Sequence, residues 1–305
     1  MTEATKEKLP ELRNISDILK NPSIINSRIY PSGFRRLDEC LDGGFKPGLS
    51  FLAGFAASGK SAMISQIALQ MSEQDIPVIY FSLEMAEREC VSRMLSFVSY
   101  RYRGDNAYTA NKLLNNSEGK YSETNPEYRE IIEKTEEATK NIYLTTSQGT
   151  VLTPGIVDKT IEEFNVAHPD KEKPAVIIDC LHMLRIENDE YLQEDQRISI
   201  VLKRLKAISD KYDIPIICTT WVSRSHYDQP VSLKSIKQAN YVALYANTIL
   251  GLQCSGSGDK WFDFISATSK RPRKMDLIIL KNKNAMVGQA IKYEFDLMYN
   301  TIEED

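Results

Sequence analysis

Lys60 and Ser61 close the run GFAASGKS, Gly54 to Ser61, and no other stretch suggests chemistry so directly by residue type and spacing. A Gly, four residues, a Gly, a Lys and then a Ser or Thr make the phosphate-loop pattern. Successive backbone N–H groups and the positive end of a following helix converge there on a polyphosphate. Gly54, Ala57, Ser58, Gly59, Lys60, Ser61 and Ala62 would form the cradle. Its glycines allow close approach to the backbone, Lys60 would reach the outer phosphates, and Ser61 would ligate a magnesium ion. Two carboxylates are candidates to complete the site. Asp179 ends the apolar run AVIID, where a second magnesium-coordinating group belongs, held to the metal through water. Glu84 follows the run PVIYFS, and a carboxylate there can orient and deprotonate a water that attacks a γ-phosphate. Each also has a plainer reading, Asp179 as a polar strand end and Glu84 as the start of a helix.

These residues need elements to place them. Leu49 to Ala53 is a short apolar run, and Met63, Ile64, Ile67, Ala68 and Met71 recur at helical spacing behind the loop, which together predict strand, loop, helix. Further strands are expected at Pro77–Ser82, Asn141–Thr145, Ala175–Asp179 and Ile214–Thr219. Helices are expected between them. They run over Arg88–Tyr102 with Val91, Met94, Leu95 and Val98 inward, Glu127–Lys140, Thr153–Val166 with Thr153 as cap and Pro154 first, and Gln196–Tyr212. Gly104–Pro126 reads as a loop. This alternation argues an α/β fold with a mostly parallel central sheet flanked by helices. The runs Thr248–Leu252, Trp261–Ala267, Met275–Leu280 and Ile291–Phe295 read as strands of an antiparallel C-terminal extension. Ser32–Gly48, with Leu37 and Leu41 on one helical face, reads as a lid helix leading to the loop. Residues 1–31 form a polar arm or linker, with Ile15, Ile18 and Leu19 behind a cap at Asn14, and 32–305 form the domain.

The 305 residues are 42% hydrophobic and 26% charged, ordinary for a globular chain, and the net charge of −4 excludes a global basic field. Nucleic-acid contact, if any, must be local. Cys40, Cys90, Cys180, Cys218 and Cys254 form no CxxC pair, which argues against a zinc site or a disulfide framework and for free thiols in a reducing cytosol. His168, His182 and His226 lack metal-ligand spacing, and His182 reads as a core residue. Without an apolar leader or a membrane-length apolar run, the chain is expected to be cytoplasmic, with no membrane contact.

Taken together, GFAASGKS, then FSLEM at Phe81–Met85, then VIIDCLHML at Val176–Leu184 resemble the C-terminal ATPase domain of DnaB-like replicative helicases, of the RecA-like class. The lead-in SGFRRLDECLDGGFKPGLSFLAG and the segment LKNKNAMVG at Leu280–Gly288 are similar to further blocks of that family, so the resemblance runs from about Ser32 nearly to the end. It implies a RecA-like P-loop NTPase core in a homo-oligomer, typically a six-membered ring, that uses ATP and Mg2+ to move along single-stranded DNA. A helicase loader or other replication proteins are implied as partners. By position, Glu84 becomes the catalytic base, Asp179 the metal-side carboxylate, and Lys281 and Lys283 the basic pair inserted into the neighbouring subunit's nucleotide site. Ser225–Asn240 matches a DNA-binding loop, with Lys234 and Lys237 as phosphate contacts.

Departures from the family pattern are also visible. Its Ser-Gln-Leu-x-Arg stretch is TTWVSR here, with Trp221 in place of a γ-phosphate-sensing Gln and Arg224 retained at the nucleotide. An indole can only donate. Lys283 stands where an Arg is usual, which keeps the charge without the planar fork. The resemblance does not include the helical collar domain of longer members, and the arm could at most match their linker helix. Two alternatives to the helicase or translocase therefore stand beside it, a RecA-like nucleotide-binding switch with slow or no hydrolysis and a recombination or repair ATPase with weak or no helicase activity.

Overall fold

β-Branched and aromatic runs form strands because their side chains fit a pleated, half-buried surface, and here the strands collect into one nine-stranded sheet. The computed structural model describes residues 14–20, 28–115, 124–146, 151–187, 192–226 and 229–305. The strands are β1 (Gly48–Gly54), β2 (Val78–Ser82), β3 (Ile142–Thr146), β4 (Ala175–Asp179), β5 (Pro215–Trp221), β6 (Ala246–Cys254), β7 (Arg273–Asn282), β8 (Ala290–Asp296) and β9 (Thr301–Glu304). Among the described residues the α-helices are α1 (Ile15–Leu19), α2 (Arg35–Cys40), α3 (Lys60–Glu73), α4 (Glu87–Arg103), α5 (Ala110–Leu114), α6 (Pro126–Thr139), α7 (Pro154–Ala167), α8 (Glu194–Tyr212), α9 (Ala239–Tyr245) and α10 (Phe264–Ser269). The sheet order is β3-β2-β4-β5-β1-β6-β7-β8-β9. From β3 to β6 the pairing is parallel, and from β6 to β9 it is antiparallel, as expected for the core and its extension.

Parallel strands need crossovers, which put helices on both faces and bury both. β4 shows the consequence. Ala175 and Ile177 pack in the layer of Met63, Ile64 and Ile67 from α3, while Val176 and Ile178 pack in the layer of Ile198, Val201 and Leu205 from α8. In β8, by contrast, Ile291, Tyr293 and Phe295 are buried while Lys292 is exposed, the alternation of a strand covered on one face.

Helix boundaries follow their caps. Thr153 accepts from the N–H of Ile156 with Pro154 in the first turn, and Asn125 likewise caps α6 ahead of Pro126, accepting from the N–H groups of Glu127 and Tyr128. Asn14 accepts from the N–H of Ser16 at 2.8 Å to start α1, while 1–13 and 21–27 of the expected arm lie outside the described residues.

Three expectations are corrected. Trp261–Ala267 is no strand. The chain turns after β6, and Asp263 caps α10 by accepting from the N–H of Ser266. The run joins no strand of the sheet, and its large apolar residues Trp261 and Ile265 both face solvent. Val91 is exposed rather than inward, because Cys90, Met94 and Val98 form the buried side of α4. The stretch read as a loop contains α5, capped by Thr109, although 116–123 lie outside the described residues.

Beyond its pairing with β8, the short β9 is tied to α3 by the side chain of Gln66. Gln66, buried on α3, donates from Nε2 to the Ile302 carbonyl at 2.8 Å and accepts from the Ile302 N–H at 2.9 Å. Gln66→Leu leaves both backbone groups buried and unpaired, so a loss of about 2–4 kcal/mol is expected in chemical denaturation. An unchanged midpoint would show that β9 does not depend on this contact.

Candidate active site

The strand register places the site. Gly54 at the end of β1 pairs with Trp221 of β5, Asp179 of β4 pairs with Ser82 of β2, and the chain continues from Ser82 to Glu84. Four strands thus finish within two residues of one another at their C-terminal ends, the edge where open α/β sheets bind ligands. Beyond them lies a cleft of about 970 Å³ whose lining includes Ala57 to Ala62, Glu84, Trp221, Lys237, Arg273 and Phe295.

The loop from β1 to α3 is built for close approach. Gly59 has φ +95°, which a side chain rarely tolerates, and a Cβ there would meet the Phe295 ring at 3.1 Å. A Cβ on Gly54 would lie 2.6 Å from Ser58 Oγ. Lys60 is buried, and its ammonium donates to the carbonyls of Gly54 at 3.1 Å and Phe55 at 2.7 Å. Burial lowers its pKa, against the opposing pull of the Glu84 and Asp179 carboxylates. The lysine head is thus folded onto its own loop, within the field of both acidic groups.

Asp179 is also buried, and burial raises its pKa, while the hydroxyls of Thr219 and Ser61 pull it the other way. Thr219 Oγ1 donates to Asp179 Oδ1, and Oδ2 has no hydrogen-bond partner among the described residues. A buried carboxylate oxygen without a partner is costly. With the Ser61 side chain beside it, this donor set fits a hard divalent cation such as Mg2+, which takes oxygen ligands. No cluster of three His, Cys, Asp or Glu residues that could hold a metal ion forms among the described residues, here or elsewhere.

Glu84 is exposed and accepts a hydrogen bond from Trp221 Nε1 at 3.0 Å. The indole stacks on His182, with ring centroids 4.8 Å apart, and Lys237 Nζ lies 5.4 Å from the Trp221 ring. His182 is buried as expected, with Nε2 3.0 Å from Thr220 Oγ1. Burial, reinforced by Lys237 and Lys60, pushes its pKa down to about 3, so the ring under Trp221 is neutral at pH 7.

The other expected site residues are dispersed. Lys237 enters the cleft and pairs with Glu194 at 2.7 Å, while Lys234 is exposed on the turn Leu233–Ser235. The backbone of Arg224 lies in the turn Arg224–His226, and its side chain, like Tyr227 and Asp228, lies outside what is described. Lys281 donates to the carbonyls of Ala243 at 2.6 Å and Ala246 at 2.8 Å, near the start of β6. Because β6 runs parallel to β1, that start is the sheet edge opposite Gly54, and the exposed Lys283 shares it.

The sequence reading missed Arg273. It starts β7, and its guanidinium donates from Nη1 to the Ala57 carbonyl and from Nη2 to the Thr268 carbonyl, both at 2.7 Å, while lying 5.2 Å from the Phe295 ring. Its place beside Pro272 in a basic run carried no sign of this, because the contact crosses from the extension to the phosphate loop.

Residues 30–304 match the family described as the DnaB-like helicase C terminal domain. Among curated relatives, the replicative DNA helicase DnaB of Mycoplasma genitalium is 25% identical over 272 residues, covering 85% of this chain and 53% of the relative. That of Geobacillus stearothermophilus is 23% identical over 310 residues, covering 94% of this chain and 61% of the relative. This chain therefore spans between half and two thirds of their lengths. A solved ATPase domain superposes with a TM-score of 0.79 at 20% identity, covering 97% of this chain and 100% of that one, which establishes the RecA-like fold. A family match across nearly the whole chain, on a sheet that aligns the phosphate loop, Glu84 and Asp179 along one edge, makes this protein a member of the DnaB-like helicase C-terminal domain family.

Proposed function

We propose that this chain is the motor domain of an ATP-dependent DNA helicase or translocase of the DnaB-like type, a hexameric ring that hydrolyses ATP between copies and holds single-stranded DNA in its channel. Residues 32–305 are the ATPase domain and 1–31 its linker arm. The observation that carries the proposal is the convergence of Lys60, Ser61, Asp179 and Glu84 on one sheet edge while Lys281 and Lys283 lie on the opposite edge. The loop amides hold the polyphosphate of ATP, and Lys60 exchanges its carbonyl partners for the outer phosphates. Ser61 and Asp179 hold Mg2+, which supplies charge neutralisation at the phosphates when bound. Glu84 orients the attacking water and takes its proton. Lys281 and Lys283, on the far edge from their own cleft, serve a neighbour's site, so hydrolysis depends on assembly. Lys234 contacts the DNA backbone, and Lys237 joins it on exchanging Glu194 for phosphate. A cytoplasmic location and contacts with a loader or other replication proteins accompany this reading. It is supported by the DNA helicase relatives and by a DnaB-like helicase structure described with its primase interactions, with a TM-score of 0.75 at 20% identity, covering 94% of this chain and 65% of that one.

The decisive measurement is the ATPase rate with and without single-stranded DNA, alongside molar mass in solution. Stimulation by DNA in an oligomer is expected. A DNA-independent rate from a monomer would overturn the proposal.

One contact favours the slower nucleotide switch as a second reading, the indole N–H that holds Glu84. If it restrains the base, Trp221→Phe should raise the basal turnover number about three- to tenfold at unchanged KM, the yield of freeing one hydrogen bond worth about 1 kcal/mol. Steady-state phosphate release reports this, and an unchanged rate would remove the second reading.

A further inference from the structure

The β6–β7 connection, residues 255–272, contributes no side chain to the lining of the cleft described above, yet it carries the most exposed indole of the protein. Trp261 is 86% exposed, and Ile265 on the same connection is 76% exposed. Exposed apolar residues standing singly need no explanation, so what surrounds them decides whether they mark a contact. The adjacent charges say which kind. Lys260 Nζ lies 5.1 Å from the Trp261 ring centroid, and Lys270, Arg271 and Lys274 follow, all exposed. Among the described residues none of these four cations pairs with a carboxylate, whereas Lys46, Arg93, Lys140, Lys206 and Lys211 each do. From Ser255 to Lys274 there are five cations against two carboxylates, in a chain whose net charge is −4. One of those carboxylates, Asp263, is used internally as the cap of α10.

An exposed aromatic ring among unneutralised cations is the combination that binds single-stranded nucleic acid, in which bases stack on the ring and phosphates meet the charges. Two contacts place this connection beside features already described. Gly258, at φ +95°, packs so closely on Pro230 that a Cβ would lie 2.5 Å from Pro230 Cδ, which joins it to the segment carrying Lys234. Phe264 packs edge to face on Phe55 with centroids 6.0 Å apart, and Arg273 links Thr268 to Ala57, which ties it to the phosphate loop.

We propose that the β6–β7 connection is a second contact for single-stranded DNA, with Trp261 stacking on a base and Lys260, Lys270 and Arg271 meeting backbone phosphates. The inference rests on the DNA-binding reading above and adds residues to it. The test uses the full chain and a fluorescein-labelled oligo-dT longer than about 16 nucleotides, so that a whole site is covered, read by anisotropy across a salt series.

Trp261→Ala should weaken binding about 5- to 100-fold, the range for removing one base stack, and Trp261→Tyr should recover most of it. Trp261→Leu should stay weak, since an aliphatic side chain keeps the apolar surface without a π-face. The triple variant Lys260→Ala, Lys270→Ala, Arg271→Ala should flatten the slope of log affinity against log salt by about 2, close to 0.7 for each single-strand phosphate that is no longer neutralised. Wild-type affinity and slope in the Trp261→Ala and triple variants would overturn this inference and leave the helicase reading standing. Failure of the wild-type chain to bind the oligonucleotide would remove both. A change of molar mass in Trp261→Ala with DNA binding intact would make the surface a contact between copies and overturn the inference.

Discussion

Lys60→Ala is expected to lower ATP affinity by about ten- to a hundredfold, the worth of one charge-assisted hydrogen bond, and to lower hydrolysis by about 10²–10³-fold, as when one oriented charge-stabilising donor is removed. The Lys60 ammonium is buried at the head of α3 and is satisfied by the Gly54 and Phe55 carbonyls. Polyphosphate offers it stronger, ionised acceptors. The substitution also leaves Asp179 and Glu84 without the cation that lies in their field. Titration with a fluorescent ATP analogue and single-turnover phosphate release measure the two effects separately. Unchanged affinity would refute the phosphate-loop assignment and the function built on it.

Asp179→Asn is expected to stabilise the nucleotide-free protein while reducing magnesium-dependent hydrolysis by about 10²-fold or more, as a metal-side charge is lost. Burial raises the Asp179 pKa, so the folded state binds a proton more readily than the unfolded one. Stability from this group is therefore fully present below the unfolded pKa and is lost as pH rises through the folded pKa. Wherever the carboxylate is ionised it is a liability, with Oδ2 unpartnered among the described residues. An Asn there carries no charge, and its carbonyl oxygen still accepts from Thr219. Thermal unfolding of both proteins from acid to neutral pH should give a gap that opens in favour of the variant as pH rises. Adding ATP with Mg2+ should raise the wild-type midpoint far more than that of the variant. A less stable variant at neutral pH would mean that the Thr219 contact outweighs the burial cost. An equal response to Mg2+ would remove Asp179 from the metal site.

Much of the site was legible along the chain because its parts sit where local patterns break. AVIID stops being apolar at Asp179, and β4 ends there. The GFAASGKS run lies between an apolar strand and a periodic helix, and the structure has β1 and α3 on either side of it. Such boundaries are local, since strand and helix periods are set by neighbours within a few residues. The reading failed at Trp261–Ala267, where a short apolar and aromatic run suits a strand or a helix equally, and the structure has α10 over Phe264–Ser269.

The amino-acid sequence by itself determined the fold class and the family that the match over residues 30–304 bears out, and it marked the Gly54–Ser61 run, Glu84 and Asp179 as candidates for the site. Only the tertiary structure decided which side chains attend them. Thr219 reaches Asp179 because β5 is inserted beside β4, and Arg273 reaches Ala57, 216 residues away, because the extension folds back along the sheet. Trp221 meets Glu84 for the same reason, since β2 and β5 flank β4 and finish at one edge. Strand order is a property of the whole chain, chosen by which faces must be buried together, and no local spacing of residues encodes it.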